Sequence, residues 1–217
     1  MLNINMFNRY FPIIFSIGLI AVLILLGFLF DLGNRPVWIK EGGIVESLSV
    51  LGYCLCVAMM IIKGKLPYLK KYSSLVLLPI LFALRELDFD KRFTTMGIFK
   101  GKFYFNDAAP IGEKIIGLLV IVLLLFIVYR IITRHGKTFF DGLKHRTPLA
   151  YGVLSVLLAL IISKFIDGIG RKLSALGITI SDQFSGNMEL LEEMLELGIP
   201  ILIMATLVIY FSHKHSS

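Results

Sequence analysis

The stretch SLVLLPILFALRELDFDKRF, Ser74 to Phe93, starts as hydrocarbon and finishes as salt. Eleven uncharged residues run into Arg85, Glu86, Asp88, Asp90, Lys91 and Arg92. Ser74–Leu84 covers only ~17 Å as helix, whereas a bilayer core is ~30 Å thick. A helix that crosses here must take residues from a flank. On one side Pro67 suits a first helical turn, and Lys70 and Lys71 can reach back to the surface. A crossing that starts near Tyr72 then ends near Arg92 and carries Arg85 and Glu86 below the far boundary.

The rest of the chain places this segment in a membrane. Of 217 residues, 57% are hydrophobic and 17% charged, and the mean hydropathy is +0.83. Soluble domains are less apolar and more charged. The expectation is an all-α integral membrane protein: one compact bundle of six transmembrane helices near 11–30, 44–62, 72–92, 115–132, 147–166 and 190–211. The first apolar run, Phe11–Phe30, is longer than a signal-peptide core and is followed by DLGNRPVW rather than a small-residue cleavage site, so it reads as a retained helix. Gly33, Pro36, Gly42, Gly43, Gly64, Pro67, Gly136 and Pro148 punctuate the joints.

Charge sets the expected direction. KGKLPYLKKYS carries Lys63, Lys65, Lys70 and Lys71 with no acid, and RHGKTFFDGLKHRT carries Arg134, Lys137, Lys144 and Arg146 against Asp141 alone. These loops, and with them both termini, are expected in the cytoplasm of a bacterial inner membrane. The net charge of +7 does not point to nucleic acid, because no reader motif accompanies it. Cys54 and Cys56 lie two apart in an apolar helix, which turns them away from each other and disfavours a mutual disulfide.

The last crossing repeats the shortfall of the third. Leu197–Phe211 covers ~22 Å and must draw in Glu196 and Glu193, with Glu192 at the edge. With Asn187 as N-cap, Glu189, Glu192, Glu193 and Glu196 form one acidic stripe. Lys164, Asp167 and Arg171 share a face at the end of the fifth crossing, and Glu46 opens the second after Glu41. On the inferred topology these groups converge at the outer face. Ten acids (Glu41, Glu46, Glu86, Asp88, Asp90, Asp167, Glu189, Glu192, Glu193, Glu196) oppose six bases (Arg85, Lys91, Arg92, Lys164, Arg171, Lys172). Charge facing lipid costs about 2.5–3.5 kcal/mol per group, so these side chains are expected to face one another or a wet cavity.

Three chemistries suit such a cavity. Glu46, Glu86, Asp88, Asp90, Glu192, Glu193 and Glu196 could ligate a hard divalent cation, Mg²⁺ or Ca²⁺, rather than zinc. Arg85, Arg92, Lys164 and Arg171 could hold a phosphorylated lipid head group. Glu46, Glu86 and Glu196 are the candidates for general acid–base catalysis in a lipid-processing enzyme. His135, His145, His213 and His215 all fall on the opposite side and cannot serve there. Phe99, Phe103, Tyr104 and Phe105, interleaved with Lys100 and Lys102, suit an interfacial lid. The expected partners are membrane lipids. The alternatives are a structural or accessory subunit that binds another membrane protein, in which Arg85–Asp88 and Asp88–Arg92 pair within one helix, and a small transporter.

Overall fold

The computed structural model describes residues 4–30 and 43–214; Glu41, His215 and the joint around Gly33 and Pro36 lie outside them. The helices are α1 (Ile4–Phe30), α2 (Ile44–Lys71), α3 (Ser73–Glu86), α4 (Phe89–Phe93), α5 (Gly101–Phe105), α6 (Ile111–Lys144), α7 (Pro148–Ile166), α8 (Ile169–Ala175) and α9 (Asp182–Lys214). No strand occurs among the described residues. Five helices, α1, α2, α6, α7 and α9, are long and apolar enough to cross a membrane. This is the architecture of a multi-pass membrane protein.

α9 is the axis of the bundle, with more than half of its apolar window (56%) buried, and α1, α2 and α7 surround it. Lipid offers little drive to bring helices together, so they associate where small residues let backbones approach. Each neighbour of α9 has such a point. A Cβ at Gly52 of α2 would lie 2.9 Å from the Pro200 ring, one at Gly152 of α7 would lie 2.7 Å from the Thr206 hydroxyl, and one at Gly198 of α9 would lie 2.9 Å from Ile20 of α1. Tyr53, Ile199 and Leu202 fill the centre, with Ile20, Ala83 and Ala159 around them. Cys54 is exposed, whereas Cys56 is buried and donates its thiol to the Pro200 carbonyl at 3.4 Å.

Several boundaries differ from expectation. The helix expected over 72–92 stops at Glu86, and Asp88 turns left-handed (φ 47°, ψ 35°) before α4. Asp tolerates this conformation better than most residues. The break separates the charges that one continuous helix would have aligned. Asp88 pairs with Lys91 at 2.7 Å rather than with Arg85 or Arg92. The second helix continues past Ile62 to Lys71, bent at Lys65 (φ 55°), where Pro67 supplies no N–H and the Tyr68 ring folds over Gly64. The basic stretch after Ile132 is helical to Lys144. Gly142 lets the end of α6 meet the start of α7, since a Cβ there would lie 2.8 Å from Ala150.

α9 begins at Asp182 instead of near Leu190. Its cap is Ser181, whose Oγ accepts the Phe184 N–H at 3.2 Å, and Asn187 lies inside the helix. Ser181→Ala is therefore expected to cost about 1 kcal/mol and Asn187→Ala much less. Amide hydrogen exchange over 182–186 checks this: equal protection in both variants would mean that Ser181 does not cap the helix.

The aromatic loop folds as a small cap on the amino-terminal end of α6. Phe103 is fully buried beside Ile98 and Ala109 and so is not an interfacial anchor, while Phe99 and Phe105 remain exposed. Tyr104 donates its hydroxyl to the Ile98 carbonyl at 2.9 Å. Asp90 accepts the Ile98 N–H at 3.2 Å, and Glu113 accepts the Thr95 N–H at 2.9 Å. At the other end of the bundle Tyr68, Tyr72, Tyr210 and Phe211 form an aromatic cluster, with His135 of α6 against Tyr72.

Candidate functional site: a charged node between α3, α7 and α9

Three helices each deliver one polar residue to a common point because each carries an apolar stripe that ends there. In α3, Pro79, Ala83 and Glu86 share the buried face at i, i+4 and i+7. In α7, Ala159, Ser163 and Ile166 do the same. In α9, Glu196 is buried one turn before Pro200. Pro200 has no N–H to offer the Glu196 carbonyl, so the helix ladder is open at this level.

Arg85 joins the three. Its Nη2 donates to Glu196 Oε1 at 2.7 Å and its Nη1 to Glu86 Oε1 at 3.1 Å, while Ser163 Oγ donates to the same Glu196 oxygen at 3.3 Å. The carboxylate side chains are 5% and 9% exposed, whereas that of Arg85 is 44% exposed. The guanidinium thus reaches from an enclosed acidic floor to an open edge. Glu46, Glu192 and Glu193, all half-buried, stand within electrostatic reach of this pair of acids.

The floor contains polar atoms without partners. Glu86 Oε2 and Glu196 Oε2 accept no hydrogen bond among the described residues. Tyr53, 1% exposed and within electrostatic reach of Glu86, Glu196 and Arg85, makes no hydrogen bond through its hydroxyl among them either. Buried polar groups are nearly always paired, so three such atoms together set this point apart from the rest of the core.

The expected site residues divide into groups. Arg85, Glu86 and Glu196 form the node, with Glu46, Glu192 and Glu193 around it. Asp88 pairs with Lys91, and Asp90 is spent on the loop backbone. Arg92 is exposed, and Arg171, 87% exposed, stands 3.9 Å from Asp167. Lys164 bonds to Asp167 on the flank, and Lys172 caps the end of α7 by donating to the Lys164 carbonyl at 3.2 Å. Burial works against ionisation of Asp167, but the hydrogen bond and charge of Lys164, aided by Lys172 and Arg171, hold its carboxyl below the usual range. Among the described residues no three His, Cys, Asp or Glu side chains are gathered as metal ligands. Ser163 and Tyr53 were not foreseen: a hydroxyl in an apolar helix carries no charge signal, and only packing against α9 gives either one a role.

No protein family, no curated protein and no solved structure is significantly similar to this chain.

Proposed function

We propose that the node receives the zwitterionic head group of a membrane lipid, and that the chain crosses a bacterial inner membrane six times with both termini in the cytoplasm. The single observation that carries the reading is the buried Tyr53 hydroxyl without a partner beside two half-paired carboxylates. Carboxylate oxygens suit an ammonium group, and the open edge of Arg85 suits the phosphate next to it. The metal reading lacks a gathered ligand set among the described residues, and the hydroxyl next to a carboxylate, Ser163 on Glu196, stands at 3.3 Å, a long contact for a nucleophile and its base, so binding is the activity proposed here.

The sixth crossing is supported by distances along α6. Arg134 Nη1 donates to the Lys71 carbonyl at 3.2 Å, and Glu113 holds Thr95. These two points on α6 are separated by ~32 Å of helical rise, the thickness of the hydrocarbon core. The polypeptide between Lys71 and Thr95 therefore climbs that height, mostly through α3. The basic loops at the Lys71 end favour the cytoplasm for that side.

Tyr53→Phe tests the reading with little threat to the fold. Removing a buried hydroxyl that has no partner among the described residues leaves stability equal or better. If the hydroxyl bonds the guest, affinity for phosphatidylethanolamine falls about tenfold, ~1.4 kcal/mol. Lipid titration read by native mass spectrometry measures both the wild type and the variant. Unchanged affinity in a variant of unchanged thermal stability would favour the alternative, in which the Arg85 ion pair only locks α3 against α9.

A further inference from the structure

We propose a second lipid site at the opposite end of the bundle, where the corner between α2, α3 and α6 holds the head group of an anionic phospholipid. This site shares no residue with the charged node. Its frame is the hydrogen bond from Arg134 Nη1 to the Lys71 carbonyl and the packing of the Tyr72 ring against His135, with centroids 5.7 Å apart. The Lys71 ammonium lies 5.3 Å from the centre of the Tyr72 ring. α6 then presents Arg130, Arg134 and Lys137 at i, i+4 and i+7, one continuous basic face.

None of Lys70, Lys71, Arg130, Arg134 and Lys137 has a carboxylate within 4.0 Å among the described residues. That contrasts with the charged node, where acids outnumber bases. Like charges brought together at i, i+4 repel, which weakens the helix unless a counter-charge arrives. The half-buried Arg130 lies over the Phe126 ring at 5.8 Å, so the basic face descends into apolar surroundings. The adjoining surface is apolar and open: Tyr129 is 65% exposed and Ile132 63%. Basic groups at the boundary of a greasy helix face match a ligand with an anionic head and hydrocarbon tails. An anion free in solution would satisfy the charges and leave that face uncovered. Anionic lipid is attracted to such clusters near the surface, more strongly with each added base.

The experiment compares the wild type with Lys70→Gln/Lys137→Gln, two exposed side chains with no hydrogen bond or ion pair among the described residues. Purified protein is titrated with phosphatidylglycerol and, separately, with phosphatidylcholine, and bound lipid is counted by native mass spectrometry. The wild type is expected to prefer phosphatidylglycerol by at least about tenfold, to lose that preference as salt rises, and to lose most of it in the double variant. Equal retention of the two lipids, or an undiminished preference in the variant, overturns the proposal. Inorganic phosphate alone is the control for the source of the anion. If it raises the melting temperature as much as phosphatidylglycerol does, the corner is a site for soluble phosphate and the lipid proposal fails.

Discussion

Arg85→Met is expected to destabilise the folded protein by about 3 kcal/mol and to abolish head-group binding at the node. The substitution keeps the length of the side chain but leaves Glu86 and Glu196 together in an enclosed space without a counter-charge. Breaking a buried ion pair by removing one partner costs about 3–5 kcal/mol, and the lower end applies because Arg85 is itself part-exposed. The diagnostic partner is the triple variant Arg85→Met/Glu86→Gln/Glu196→Gln. Neutral amides keep the shape and remove the uncompensated charge, so most of the lost stability returns. Head-group binding does not return, because the ammonium and phosphate partners are both gone. Thermal or denaturant unfolding in detergent micelles measures the first effect, and lipid titration the second. A single variant as stable as the wild type would place the acids in bulk water.

Gly52→Leu is expected to have the second largest effect, because α2 and α9 touch where no side chain fits. A Cβ at position 52 would stand 2.9 and 3.0 Å from two carbons of the Pro200 ring. That ring is rigid and fully buried, so relief requires α2 to move away from the central helix. Inserting extra carbon into a packed core costs about 1–3 kcal/mol, occasionally more, and leucine is expected at or above the top of that range. Gly52→Ala, which adds only the clashing Cβ, falls near the bottom. Gly18→Leu is the control: nothing lies within 4 Å of its Cβ position, so no loss is expected. The same unfolding assay ranks the three, and a Gly52 variant that behaves like the Gly18 variant would mean that α2 and α9 are not in contact here.

The charge cluster was legible because two apolar runs are too short. Ser74–Leu84 and Leu197–Phe211 both fall short of a bilayer, which drew attention to Arg85, Glu86 and Glu196; in the structure the two acids are buried and the part-exposed Arg85 bonds both. Pairing within the cluster was not legible. Sequence spacing favoured Arg85 with Asp88, as helix neighbours, but α3 ends at Glu86 and Arg85 reaches instead to a residue 111 positions away. Asp90 read as a site acid and is instead part of the loop scaffold. Its role depends on a backbone N–H that a turn brings within reach, and no periodicity records turns of that kind.

Composition and periodicity determined that this chain is a bundle of apolar helices with acids crowded at one end and bases opposed by Asp141 alone in the basic stretches of the other, because burial of nonpolar surface and the expense of charge in hydrocarbon act on each segment separately. Tertiary packing alone decided that α9 is the axis, that Tyr53 and Ser163 belong to the node, and that Arg85 is shared between two carboxylates. Those choices depend on which glycines and prolines let helix backbones meet, and that contact exists only once distant segments are side by side.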